Sequence, residues 1–289
     1  VTSVVIGRPV EYVGVDNNLA LERMEKACKI AGFKDLKFEY EPVGAAYDYG
    51  INVKVPQKVL VFDFGGGTLD VSIFKFPEKK VLANIGLPIG GDHFNSEIFM
   101  DKLSKYFGSE ATYGLSNLKL PRYIFSSLEN WYEISLLKSV VFENQIQHFR
   151  YKCSDNESLE RLNSLVSNNL GFSMYEEIER IKKGLSSSNE EMYKFHSKDI
   201  DIETIIKRQE FEKVIEVDLK DIKNLLVDAM DLAKVRLIDI DVVATTGGSS
   251  LVPSVQNLLL DMFGEEKIQK SDAFTGVASG LAIMANSVE

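Results

Sequence analysis

Between Lys58 and Phe76 the chain reads KVLVFDFGGGTLDVSIFKF, and the residue types and their spacing suit phosphate chemistry. An apolar run, Val59-Leu60-Val61-Phe62, ends on Asp63; Gly65, Gly66 and Gly67 follow, and apolar residues resume in alternation at Leu69, Val71 and Ile73. That pattern predicts a tight β-hairpin. Consecutive glycines leave a row of backbone N–H groups with no Cβ to hold a ligand off, which makes an anion nest. Asp63, at a strand end, can hold a hydrated Mg²⁺, and the Thr68 hydroxyl can bond a terminal phosphate oxygen or the water that attacks it. The same residues also fit a plain glycine-rich hairpin with a solvated aspartate.

Other candidates lie far away in sequence. Glu41 precedes Pro42 where a strand gives way to a helix, a place where a carboxylate positions water or merely caps the helix. Gly90-Gly91-Asp92 opens a predicted helix, and Gly247-Gly248-Ser249-Ser250 stands between a predicted strand and a helix. At both, backbone can approach a phosphate or nucleoside. Glycine turns at separate strand ends imply one nucleotide held by segments that meet from distant sequence. The charged helix from Met174 to Lys183 reads on its own chemistry as a solvated face. His93, His148 and His196 lack metal-ligand spacing, and His148 with Cys153 offers only a pair of ligands, so all are expected to be structural or surface residues.

Positioning these residues calls for an α/β chain. Val4–Ile6 predicts a strand, and Asp16-Asn17 caps a helix to about Ala31 that turns Leu19, Met24, Ala27, Cys28 and Ala31 inward and stops at Gly32. A strand from Leu36 to Tyr40 follows, and strand, helix, strand implies a parallel crossover. Pro42 starts a small-residue helix, Val43-Gly44-Ala45-Ala46-Tyr47, that ends at Gly50 and can pack very closely. After the glycine hairpin come a strand from Val81 to Leu87 and a helix turning Phe94, Ile98, Leu103 and Phe107 inward. From Gly108 to about Val217 the chain is rich in Glu, Lys, Ser and Asn and predicts a mostly helical subdomain that carries Trp131. Then a long helix from about Arg208 to Val235, a strand from Ile240 to Thr246 and a helix from Pro253 to Phe263 are expected. Asp272 caps a last helix with Gly276, Ala278, Ser279, Gly280 and Ala282, again suited to close packing.

Composition narrows the function classes. The 289 residues are 45% hydrophobic, enough for a substantial core. With 33 basic and 43 acidic residues the net charge is −10, which argues against nucleic-acid and polybasic membrane partners. No apolar run approaches a membrane span and no signal peptide is visible; Cys28 and Cys153 lie far apart, so reduced thiols and a cytoplasmic location are expected. The chain begins at once as a core strand, without an initiator methionine, as expected of a fragment whose upstream part is missing.

Several segments together resemble the nucleotide-binding domain of DnaK-type heat-shock chaperones, within the actin-like ATPase superfamily. Glu41-Pro42-Val43-Gly44-Ala45-Ala46-Tyr47-Asp48-Tyr49-Gly50 resembles the family's E-P-T-A-A-A-x-x-Y-G helix, and Val61 to Ser72 its F-D-L-G-G-G-T-F-D-V-S phosphate hairpin. Gly90-Gly91-Asp92-His93-Phe94 is similar to G-G-E-D-F, Glu179 to Ser186 to E-R-A-K-R-x-L-S, and Thr246 to Pro253 to V-G-G-S-T-R-I-P. Asp272 and its small-residue helix resemble the closing D-E-A-V-A-x-G-A-A, and the stretch from about Gly108 to Gly171 matches nothing in the pattern.

The resemblance implies an actin-like, ribonuclease-H-like α/β fold: residues 1–57 as part of lobe I, 58–92 and 217–270 as lobe II, 93–216 as a helical insertion subdomain and 271–289 returning to lobe I. It implies ATP or ADP with Mg²⁺ as cofactors, Asp63 holding the metal through water, Gly65 to Thr68 on the β- and γ-phosphates, and Glu41 orienting the attacking water. Asp70 would support the hairpin, Gly90 and Gly91 would lie near the phosphates, Glu179, Lys182 and Ser186 would hold the adenosine, Gly247, Gly248 and Ser249 would bed the α-phosphate and ribose, and Asp272 would complete the base pocket. That overrides the solvated-face reading of the charged helix. Implied partners are nucleotide, unfolded protein and a cochaperone.

Departures from the pattern matter too. Leu251 replaces the arginine of G-G-S-T-R and Lys183 a second base-side arginine, so apolar contact with the base is expected. The insertion around Trp131 is similar to the short YegD-like branch. A first phosphate loop of D-x-G-T-x-x-S type and a catalytic lysine lie outside the chain, so weak or absent nucleotide binding and impaired hydrolysis are expected of it alone, and a protein without a peptide-binding domain is expected. Rival functions are a nucleotide-sensing scaffold without turnover and, less well matched, a sugar or acetate kinase relative.

Overall fold

The computed structural model describes residues 3–12, 16–49, 53–270 and 276–286. Gly50 and Asp272, expected to end one helix and cap another, lie outside them. The chain divides into two compact units, Val1–Gly91 with Val217–Glu289, and Asp92–Glu216.

The first unit begins with β1 (Ser3–Arg8), α1 (Asn17–Ile30) and β2 (Asp35–Tyr40). The strands pair in parallel, Ser3 opposite Asp35 and Arg8 opposite Tyr40, as the crossover requires. Asp16 caps α1 by accepting from the Asn18 and Leu19 N–H groups, and Gly32 stops it at φ 97°. The expected inner face of α1 is corrected: Ala20 is its buried residue, while Leu19, Ala27 and Ala31 are exposed.

In α2 (Glu41–Tyr49) every residue from Pro42 to Ala46 is buried. The glycine hairpin is β3 (Gln57–Phe64) and β4 (Leu69–Phe76), antiparallel, with β5 (Lys80–Leu87) on the far side of β4. From Val59 to Phe64 and Leu69 to Phe74 every residue is buried. These strands are covered on both faces, which accounts for their nearly unbroken apolar sequence.

The second unit begins at Asp92, the second residue of α3 (Gly91–Ile98), which is continued by a π turn at Phe99–Leu103 and a 3-10 turn at Ser104–Phe107. Phe94, Ile98, Leu103 and Phe107 all face inward, each 1% exposed or less. A short ladder of β6 (Thr112–Tyr113) and β7 (Leu118–Lys119) leads to α4 (Arg122–Leu128), α5 (Trp131–Ile134), α6 (Val140–Phe149), α7 (Asn156–Ser167) and α8 (Gly171–Gly184). The expectation of a mostly helical segment misses a full antiparallel hairpin, β8 (Glu190–Ser197) and β9 (Ile200–Lys207). Tyr193, Phe195, Ile200, Ile202 and Ile206 are its buried residues, at the two-residue spacing of a half-buried sheet.

The helix expected from Arg208 to Val235 is two helices, α9 (Arg208–Val214) and α10 (Glu216–Ala233), interrupted at Ile215. From Val217 the chain is again in the first unit, where α10 is followed by β10 (Val242–Thr246), α11 (Pro253–Phe263), β11 (Ile268–Lys270) and α12 (Gly276–Asn286). The mixed sheet has the order β11-β10-β3-β4-β5, with β10 parallel to both β3 and β11.

Two small-residue helices meet as expected. A Cβ on Gly280 of α12 would lie 1.6 Å from the Gly44 carbonyl oxygen of α2, so the backbones touch. Val43, Ala45 and Ala46 of α2 and Met284 of α12 share one core with Val59, Val61, Phe74 and Phe76 of the hairpin. Among the described residues, no helix is long and apolar enough to cross a membrane.

Candidate functional site

The Gly65 carbonyl oxygen is where the three glycine turns of the first unit meet. Gly65 N–H closes the hairpin onto the Thr68 carbonyl at 3.0 Å, and the Gly65 carbonyl accepts the Gly91 N–H at 3.0 Å. It also accepts the Ser249 hydroxyl at 2.7 Å. Side chains are excluded from these junctions: a Cβ on Gly90 would lie 2.2 Å from the Gly66 carbonyl oxygen, and one on Gly247 2.2 Å from that of Phe64. Gly247 also has φ 81°, which glycine reaches without strain. The parallel pairing of β10 with β3, Thr246 opposite Asp63, delivers the Gly247-Gly248-Ser249 turn to the hairpin. Ser250 closes that turn by donating to the Gly247 carbonyl at 2.6 Å.

The tip itself is open. Gly66 and Gly67 are exposed, and among the described residues neither N–H is taken up by a hydrogen bond. Backbone donors presented this way bind anions.

Beside the tip stand carboxylates. Asp63 and Asp70 are cross-strand partners on the hairpin, 7% and 1% exposed. Burial pushes the Asp63 carboxyl up to about 7, with Glu41 and Asp70 adding to the rise. Burial raises Asp70 to about 6, against hydrogen bonds from the Val10 N–H and the Thr68 hydroxyl that favour its charged form. Those bonds are 2.7 Å and 3.0 Å long, and the first ties the hairpin to the segment after β1. The Thr68 hydroxyl proton is thus committed to Asp70, leaving its oxygen as an acceptor. Glu41 starts α2 next to β1, its Cγ 3.2 Å from where a Gly7 Cβ would be, and burial raises its carboxyl as well.

Among the described residues, no group of three or more His, Cys, Asp or Glu side chains could hold a metal ion directly. The residues do fit a hydrated Mg²⁺, because buried carboxyls that repel one another gain by facing a cation, and water can bridge the gap.

The second unit carries the other predicted residues, on α8 and just beyond its end. Lys182, 6% exposed, donates to Glu179 at 2.6 Å, and Lys183 reaches the other Glu179 oxygen at 3.4 Å. The pair shifts as expected for a partly buried ion pair: Lys182 and Asn95 hold Glu179 below the ordinary carboxylate range, while burial lowers Lys182 despite Glu179. Ser186 lies in the turn after α8, its N–H on the Lys183 carbonyl at 3.1 Å.

Sequence reasoning missed Asn95, which donates to Glu179 at 2.9 Å and is 3% exposed. Its signal was an amide three residues before the inward Ile98. The Glu179 cluster borders a cavity of about 410 Å³ that Asp92, Asn95, Trp131, Phe172 and Tyr175 also line.

These features can be set beside known proteins. The family model described as Hsp70 protein matches residues 1–122 and 142–288. The chaperone protein dnaK of Cyanidioschyzon merolae (strain NIES-3377 / 10D) is 28% identical over 294 residues, with 99% of this chain and 40% of that protein covered. The chaperone protein DnaK of Mycoplasmopsis agalactiae (strain NCTC 10123 / CIP 59.7 / PG2) is 27% identical over 274 residues, covering 92% and 38%. That of Mesomycoplasma hyopneumoniae (strain 232) is 28% identical over 293 residues, covering 98% and 40%. The chain spans about 40% of the length of these relatives. The family match reaches well into the stretch from Gly108 to Gly171 that the motifs left blank, and leaves out only residues 123–141 within the matched span. A match of that extent makes the assignment: this chain belongs to the Hsp70 family.

Proposed function

We propose that the chain binds ATP and ADP with Mg²⁺ and is the nucleotide-binding part of a chaperone ATPase of actin-like fold. The observation that carries this is the Gly65 hub, where three glycine turns from distant sequence converge and leave the Gly66 and Gly67 N–H groups exposed beside Asp63. In this reading Gly65, Gly66, Gly67 and Thr68 take the β- and γ-phosphates, and Gly90 and Gly91 support that turn. Gly247, Gly248 and Ser249 bed the α-phosphate and ribose. Asp63 orients metal-bound water, Glu41 orients the attacking water, and Asp70 holds Thr68 and the hairpin in place. In the second unit Glu179, Lys182 and Ser186 take the adenosine, and Asp272 belongs to the base pocket by its place in the family's closing segment.

Bound Mg²⁺ would supply neutralisation of the phosphate charge. The chain's own part is positioning: fixed N–H donors on the phosphates and one carboxylate at the water, in a site of mutually destabilised acids. Unfolded protein and a cochaperone are the partners that family membership suggests for the whole protein.

Hydrolysis of ATP by the full-length protein tests the reading. Glu41→Ala should lower kcat about 100-fold or more, as loss of a proton-handling or water-positioning group does, and Asp63→Ala should lose most of the rate and need more Mg²⁺ to reach what is left. Stimulation by unfolded peptide or a J-domain protein would support the chaperone role. Equal hydrolysis by the wild type and both variants would contradict the assignment of these residues.

A further inference from the structure

A cavity between α11 and the edge of the mixed sheet has no part in the function so far. In the parallel pairing of β10 with β11, Val243 stands opposite Ile268 and Thr245 opposite Lys270, so Thr245 and Ile268 belong to one face of the sheet. Gln256, Leu259 and Leu260 are three and four residues apart on α11 and share one face of that helix. These residues, with Ser250 and Glu265, line a cavity of about 280 Å³. Small-ligand pockets begin near about 300 Å³, so the space suits a single-ring molecule. β11 is an edge strand and Glu265 is exposed, which puts the mouth at the border of the sheet.

The lining sets apolar side chains beside unpaired acceptors. Leu259, Leu260 and Ile268 supply the apolar surface. Glu265 is the one charged residue on the lining among the described residues, and its carboxylate has no ion pair or hydrogen bond there. Lys267, the nearest base in sequence, reaches the Ile238 carbonyl instead, at 3.5 Å. The half-buried Gln256 amide has no side-chain hydrogen bond among the described residues. The Ser250 hydroxyl gives its proton to the Gly247 carbonyl, which leaves its oxygen as an acceptor. One unpaired carboxylate with neutral acceptors and no base repels phosphates and carboxylates and attracts an ammonium group. That is the reverse of the chemistry at the exposed Gly66 and Gly67 N–H groups, so the two places select different ligands.

The cavity shares a segment with the Gly65 hub. Thr245 and Ser250, 7% and 3% exposed, lie on the run from β10 into α11 that also carries Ser249, whose hydroxyl donates to the Gly65 carbonyl at 2.7 Å. A ligand held against Thr245 and Ser250 restricts the backbone that delivers the Gly247 turn to the hub.

We propose that this cavity is a second, regulatory ligand site for a small single-ring amine. Its ring lies against Leu259, Leu260 and Ile268, and its ammonium group donates to the Glu265 carboxylate and the Gln256 carbonyl oxygen. Occupancy tightens nucleotide binding through the Gly247–Ser250 turn. The coupling rests on the nucleotide reading above; the amine site stands without it.

Benzylamine is the probe, titrated calorimetrically into the full-length protein beside benzyl alcohol and benzoate. Benzylamine should bind saturably, benzyl alcohol more weakly and benzoate not at all. Glu265→Gln, at an exposed position, should weaken benzylamine about tenfold, as loss of a charged hydrogen bond does, and leave benzyl alcohol unchanged. Leu260→Trp, at a position 37% exposed, should fill the cavity and abolish both; thermal midpoints check that each variant is folded. Saturating benzylamine should tighten MgATP about fivefold or more, and MgATP should tighten benzylamine by the same factor. Absence of benzylamine binding overturns the site. Equal binding of benzoate, or an unchanged affinity in Glu265→Gln, overturns the ligand class, and unchanged binding in Leu260→Trp overturns the place. Displacement of benzylamine by MgATP overturns a second site, and MgATP affinity indifferent to benzylamine overturns the coupling. Absence of MgATP binding overturns the nucleotide reading and the coupling together, while the benzylamine titrations still decide the amine site.

Discussion

Asp63 is a strained choice for a buried strand end, and its protonation has a measurable consequence. Its carboxyl sits at about 7 in the folded chain, raised by burial and by Glu41 and Asp70, against about 3.9 for an unfolded aspartate. The folded state thus holds the proton more tightly, so this stability is fully present below the unfolded pKa and is lost as pH rises through the folded one. Without metal or nucleotide, the urea midpoint should fall between pH 5 and pH 8, by an amount on the order of 1–4 kcal/mol in stability. Asp63→Asn should remove most of the fall, raising stability at pH 8 by more than at pH 5. A midpoint independent of pH, or an asparagine variant with the wild-type slope, would contradict the burial account. Asp63, Thr68 and the glycines were legible because side-chain type and spacing alone mark a strand end and a bare turn. The bond from Val10 to Asp70 and the orphan oxygen of Asn95 were not, since both depend on neighbours distant in sequence.

Helices α2 and α12 touch through Gly44 and Gly280, and the two contacts are unequal. A Cβ on Gly280 would meet the Gly44 carbonyl oxygen at 1.6 Å, while one on Gly44 would meet that of Val277 at 2.9 Å. Gly280→Ala should therefore cost about 2 kcal/mol or more, near or above the upper range for overpacking, and Gly44→Ala clearly less. Chemical denaturation of the pair of variants checks the order, and equal losses would mean that the helices separate freely. Gly247→Ala combines φ 81° with a 2.2 Å approach to the Phe64 carbonyl oxygen, so it should lower stability by about 1–3 kcal/mol and weaken MgATP binding with it. The close helix packing was readable from runs of Gly and Ala. The break at Ile215 was not, because no glycine or proline marks it and the apolar spacing carries on from Phe211 into α10. The β8–β9 hairpin was hidden by its Glu and Lys content, which favours helix, while its alternation of Tyr193, Phe195, Ile200 and Ile202 pointed to strand.

Across the chain, the mixed sheet and the order of its strands bring together segments as far apart as Gly65, Gly91 and Ser249. That convergence could be anticipated only in outline: glycine turns at strand ends can be read off a sequence, but the carbonyl on which they meet cannot. The convergence is the central claim, and it predicts one phosphate site that depends on magnesium. Calorimetric titration of the full-length protein with ATP, in Mg²⁺ and then in excess chelator, beside its Asp63→Asn variant in Mg²⁺, tests it most directly. One MgATP should bind saturably, with affinity reduced about tenfold or more on chelation and in the variant, the loss of one charge-mediated contact. Binding that is the same in all three titrations, or absent from the first, would contradict it.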